Sequence, residues 1–197
     1  MVFHYSDDGD GDFENDQRDV TVDNNMFDGC AMSSFWSPGC IWVGGYDNMT
    51  VRNNDFTNAP FTPVNVKGYM PRGGSYWEDN GVVEPTREDY VYHVEFNHIY
   101  QYGQGILNDM GAVHAGPSGA ACDMDDEEYE RECYVYSHIY NNKIHAARPY
   151  DNGGNFLYSD SSSARNTFEN NVMFGTGDLA LYHHCGKGNR QGWGRYF

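Results

Sequence analysis

Two aspartates carry the chemistry that this sequence offers. Asp109 sits in the run Gly105-Ile106-Leu107-Asn108-Asp109-Met110-Gly111, and Asp160 in Phe156-Leu157-Tyr158-Ser159-Asp160. Two carboxylates flanking a glycosidic bond are what its hydrolysis requires. One donates a proton to the leaving oxygen, and the other activates water or attacks directly. Neighbouring like charges raise the pKa of one member of such a pair, which suits it to act as the acid. The two residues are 51 positions apart, so only the fold can bring them together.

A repeated pattern points to the fold that does so. Five segments share an apolar residue, two variable positions, an asparagine, one variable position and a second apolar residue. They begin at Val22, Val51, Val94, Ile139 and Phe168. Their anchoring residues Asn25, Asn54, Asn97, Asn142 and Asn171 are 29, 43, 45 and 29 residues apart. A recurring unit of this size signals a stack of coils, in which equivalent positions of successive turns become neighbours. The asparagines belong at bends, where their amides reach the turns above and below and where Asn tolerates a left-handed backbone.

A second segment follows each asparagine. These segments open at Ile41, Val64, Ile106, Leu157 and Leu181, and their fourth positions read Gly44, Lys67, Asp109, Asp160 and His184. Strand alternation turns that position away from the core, so the five residues are expected to form one outward row. If 115–135 is an insertion, Asp109 and Asp160 fall in consecutive coils. Their carboxyl groups are then expected about 5–9 Å apart, a span covering both retaining and inverting geometries. Asn108 and His184 are the neighbours placed to orient a sugar, and Lys67 completes a substrate-binding set on the row.

The expected architecture is all-β, a right-handed parallel β-helix forming part of a longer stack. No window places apolar residues at helical spacing. Residues 1–19 read as an acidic, Gly-rich lead-in, and 20–197 as coils with inserted loops near 69–90, 115–135 and 146–154. The lead-in is no EF-hand: Phe13 stands where the sharp-turn Gly belongs, and Asp19 where the bidentate Glu belongs. The charge-dense run from Cys122 to Cys133 reads as a solvated loop.

Composition narrows the partners. With 12 basic and 29 acidic residues the formal net charge is −17. Such a surface repels nucleic-acid phosphates and anionic membranes. No run approaches the roughly 20 apolar residues of a membrane helix, and the opening residues lack the apolar core of a signal peptide. The hydrophobic content of 39% fits a thin stacked core, and 16 Tyr with 23 Gly suit either a sugar-binding surface or an ordinary pleated one. The five cysteines show no Cys-x-x-Cys spacing. Cys30 with Cys40, and Cys122 with Cys133, are spaced to close loops as disulfides, leaving Cys185 over. Such pairing implies an oxidising, secreted or extracellular setting. The alternative is that all five are small buried residues.

At the aspartates the chain resembles a known family. Asn97-His98-Ile99-Tyr100 followed by Gly105 to Val113, then Phe156 to Ser163 with Asn170-Asn171, then Ala180 to Gly186, resemble successive signatures of right-handed parallel β-helix proteins of carbohydrate metabolism. They are similar to a glycoside hydrolase family that includes an α-L-fucosidase and a xylanase. The resemblance spans about 92–189. It implies that Asp109, in Asp-Met-Gly, and Asp160, in Asp-x-x-Ser, are the catalytic pair. The later motif usually continues with Glu-Gly, where this chain has Ser161-Ser162, and members of the family are much longer. The partner expected is an oligo- or polysaccharide.

No cofactor or metal is expected. His183 and His184 are adjacent, and neighbours on a strand point oppositely. His98, His114, His138 and His145 read as scattered surface or turn residues. Two other functions fit the pattern: a non-catalytic glycan-binding or structural module, and a lyase or epimerase acting on uronates. Only Lys67 lies on the row to abstract a proton, and the acidic surface disfavours polyuronate.

Overall fold

The computed structural model describes residues 19–30, 39–43, 48–66, 91–105, 107–115, 136–151, 153–160 and 166–184. The lead-in up to residue 18, the expected insertion near 69–90, the expected insertion near 115–135 apart from Ala115, Gly44, Lys67 and the Cys122 and Cys133 pair all lie outside these residues.

Among the described residues there are five coils, each built from three short strands. The first holds β1 (Val20–Asp23), β2 (Met26–Asp28) and β3 (Ile41–Val43). The second holds β4 (Asn48–Arg52), β5 (Asp55–Thr57) and β6 (Val64–Val66). The third holds β7 (Val91–Glu95), β8 (His98–Tyr100) and β9 (Met110–Ala115). The fourth holds β10 (Tyr136–Tyr140), β11 (Lys143–His145) and β12 (Gly154–Ser159). The fifth holds β13 (Asn166–Glu169), β14 (Val172–Phe174) and β15 (Leu181–His183).

Strands of like position pair across coils into three five-stranded sheets. Every pairing is parallel. This is a parallel β-helix. Parallel strands need long crossovers, and here the other two sheets of each coil provide them. The expected insertion near 146–154 spans the connection from β11 to β12.

The apolar positions of the sequence pattern become columns inside the coil. Val22, Val51, Val94, Ile139 and Phe168 align down the first sheet. Phe27, Phe56, Ile99, Ile144 and Met173 align down the second. Ile41, Val64, Val113, Leu157 and Leu181 align down the third. The middle members are fully buried. Each column is continuous because parallel strands sit only about 4.8 Å apart, so like side chains stack on like.

The asparagines line the bend between first and second sheets as a ladder. Asn54 Nδ2 donates to Asn97 Oδ1 (3.1 Å), Asn97 Nδ2 to Asn142 Oδ1 (3.1 Å), and Asn142 Nδ2 to Asn171 Oδ1 (3.0 Å). Each Nδ2 also reaches back to a carbonyl of the preceding coil, as Asn97 does to Val51 O at 2.9 Å. Each Oδ1 accepts a backbone N–H as well, as Asn142 Oδ1 does from Asn97. The left-handed residue is not the ladder asparagine itself. It is the one before: Asn24, Asn53, Phe96, Asn141 and Asn170, with φ between 52° and 58°.

Candidate functional site

The third sheet positions every described residue of the expected site. Its inward column opens with Ile41 and Val64, so residues one step later point outward. That outward column is Trp42, Asn65, His114, Tyr158 and Tyr182. The rings stack down it: His114 on Tyr158 with centres 4.7 Å apart, and Tyr158 beside Tyr182 at 5.0 Å.

Asp160 lies two residues beyond Tyr158 and shares its outward parity. Pairing continues to this point, since Asp160 N donates to Ala115 O and His184 N to Ser159 O. The carboxylate lies between two imidazoles. His114 Nε2 is 3.1 Å from Oδ2, and His184 Nδ1 is 3.1 Å from Oδ1. An ionised carboxylate only accepts, so each imidazole presents an N–H to it. His184 therefore stands beside Asp160 on the next coil, as the alignment of Leu157 with Leu181 requires. His183 has the opposite parity and faces the other way.

Asp109 does not occupy the same row, which corrects one step of the expected register. The residue level with Leu157 is Val113, not Ile106. Asp109 instead stands just ahead of β9, level with Gly153, seven residues before Asp160. The cause is the approach to β9. Gly103, Gln104, Gly105 and Asp109 all have positive φ, so the chain turns repeatedly and the strand starts only at Met110. Both aspartates nevertheless lie on the same face of consecutive coils, and one ring lies between them. The Tyr158 phenol donates to Asp109 Oδ1 at 2.8 Å, while His114 stacked on that ring holds Asp160.

Burial pushes the Tyr158 phenol pKa far up, the bond to Asp109 pushes it further, and the charges of Asp160, Asp109 and Tyr182 add to the rise. It therefore remains a donor at any physiological pH.

A cavity of about 350 Å³ opens beside Asp109. Asn108, Asp109, Asn155 and Asp178 give it polar walls, and Leu179 and Tyr182 an apolar one. Asn108 Oδ1 accepts Asp151 N at 2.9 Å, which fixes its amide at the rim. Asp178 is held by its surroundings: Oδ2 accepts the N–H groups of Gly153 and Gly154. Gly153 has φ +84°, and a Cβ there would lie 3.0 Å from Asp109 N. Glycine at this position lets the two coils approach beside the carboxylate.

Three participants were not singled out from the sequence: Tyr158, His114 and Asp178. The first two become visible once Val113 is aligned with Leu157, because they then share the outward position. Asp178 carries no such periodic signal.

Among the described residues no group of three or more His, Cys, Asp or Glu side chains converges as a metal site would. The expected Cys30–Cys40 disulfide is present, with Cα atoms 5.4 Å apart. No family model, no curated protein and no solved structure matches the chain.

Proposed function

We propose that this β-helix cleaves a glycosidic bond over the outer face of its third sheet, with Asp109 and Asp160 as the two carboxylates. The observation that carries the reading is their shared connection to Tyr158. One accepts the phenol directly, and the other is held by the imidazole stacked on the same ring. Asp109 borders the cavity and takes the role of acid towards the leaving oxygen. Asp160, with an N–H on each oxygen, is the carboxylate kept as base. Asn108 at the rim and His184 beside Asp160 contact the sugar. The resemblance of these segments to the glycoside hydrolase family with an α-L-fucosidase and a xylanase supports the same assignment. The Cys30–Cys40 bridge fits an oxidising, extracellular setting where polysaccharide is met.

A second reading is a glycan-binding module without turnover. It is favoured by Asp178, whose carboxylate oxygen is taken up by two backbone amides. Of the two carboxylates lining the cavity, that leaves Asp109, held by the Tyr158 phenol, as the one not clamped by backbone amides.

Reducing-sugar release from a panel of plant and microbial oligosaccharides decides between them. Hydrolysis by the wild-type chain, lost in Asp109→Asn and Asp160→Asn with unchanged circular dichroism, supports the first. Saturable binding without release supports the second. Unsaturated products absorbing in the near ultraviolet would indicate uronate elimination instead.

A further inference from the structure

A second cluster lies on the outer face of the second sheet, away from the aspartates above. Asp55, His98 and Lys143 occupy equivalent positions on successive coils, and Tyr100 and His145 lie two residues further along. His98 bonds at both ends of its ring. Nδ1 is 2.9 Å from Asp55 Oδ1, and Nε2 is 2.9 Å from His145 Nε2. The ionised carboxylate only accepts, so the proton of His98 sits on Nδ1 and Nε2 presents its lone pair. His145 Nε2–H must then donate. One proton lies between two imidazole nitrogens that face each other.

We propose that a divalent transition-metal ion replaces that proton, held by Nε2 of His98 and Nε2 of His145, with Asp55 as the carboxylate behind His98. The ring centres are 5.1 Å apart. A tetrahedral ion with metal–nitrogen distances of about 2.0–2.1 Å sets its two nitrogens about 3.3 Å apart and the ring centres about 5.2 Å apart. The rings therefore stand at the right separation already. Each has only to turn in place, opening the nitrogen pair by about 0.4 Å.

The surroundings favour this. A carboxylate on the far nitrogen of a ligating histidine fixes its tautomer and raises its basicity. Lys143 is the opposing charge, and its ammonium lies over the Phe174 ring, 5.9 Å from the centre. Paired imidazoles suit zinc, copper or nickel. Two protein ligands leave the remaining positions to water.

The test is a zinc chloride titration of the untagged full chain, read by calorimetry and by long-range proton–nitrogen NMR of the imidazoles. The expected result is saturable one-to-one binding that shifts the Nε2 signals of His98 and His145. It should vanish in His145→Gln, weaken about 10–100-fold in Asp55→Asn, and persist in His138→Gln. No saturable binding by the wild type, or unchanged binding by His145→Gln, would overturn the proposal.

Discussion

The Tyr158 hydroxyl donates to Asp109 Oδ1 at 2.8 Å across 49 positions of chain. It fixes a carboxylate that otherwise stands exposed on a left-handed residue, φ 59°. Tyr158→Phe removes this donor and little else. We expect a stability loss of about 0.5–1.5 kcal/mol, as for one hydrogen bond. Glycan cleavage should fall by about tenfold or more, because a misplaced acid loses alignment with the bond. Denaturant melts and initial rates check the two parts separately.

Gly153→Ala is expected to be worse for the site than its size implies. The residue has φ +84°, and the new Cβ would press on Asp109 N from 3.0 Å. The strained backbone alone costs about 1–2 kcal/mol, and relief requires moving Asp109. The variant should melt lower and lose activity, and a further substitution to Asn at Asp109 should add little to the activity loss. Full additivity would show that Gly153 does not position Asp109.

The asparagine ladder makes a strong prediction for stability. Asn97 donates to Val51 O and Asn142 Oδ1 and accepts from the backbone and side chain of Asn54. Truncation leaves several buried partners unpaired, each worth about 1–3 kcal/mol. Asn97→Ala should destabilise the chain by roughly 3 kcal/mol or more, measured as a lower denaturant midpoint.

Phe96 occupies the left-handed position that Asn24, Asn53, Asn141 and Asn170 fill on the other coils, with φ 55°. Its ring is exposed and meets Tyr140 edge-on at 6.1 Å. Phe96→Asn relieves strain of about 1–2 kcal/mol and gives up an aromatic contact of about 0.5 kcal/mol. The variant should be more stable than the wild type in thermal denaturation.

His93, His145 and His183 all have pKa values lowered chiefly by burial. Each is harder to protonate folded than unfolded, so acid favours the unfolded chain. The contribution is complete above the ordinary histidine value of about 6.5 and is lost as pH falls below it towards the folded values. The melting midpoint should therefore drop on acidification from about pH 8 to about pH 5. The drop should shrink in His93→Phe, and identical pH curves would contradict it.

Much of the fold was legible because stacking repeats a local rule. The pairs Val22 with Val51 and Ile139 with Phe168 could be matched by eye, since parallel strands place like residues on like. Loop spacing allowed the Cys30–Cys40 bridge but did not separate it from a pair of small buried residues. The position of Asp109 was not legible. Ile106 is the first apolar residue after its bend, yet three closely spaced left-handed residues delay the strand to Met110. Turn conformation, not hydrophobic order, sets the register there. The pairing of His114 with Asp160 was hidden by the same slip. The Asp178 clamp depends on a close approach of two coils at Gly153, which composition does not reveal.

The central claim is that Asp109 and Asp160 act as one hydrolytic unit on the Tyr158 face. The most direct measurement is the cleavage rate of a responsive oligosaccharide by Asp109→Asn, Asp160→Asn and the double variant. Each single change should reduce the rate by about 10²–10⁴-fold, and the double variant should be hardly slower than the worse single one. Near-wild-type cleavage by either single variant, with the fold intact, would contradict the account.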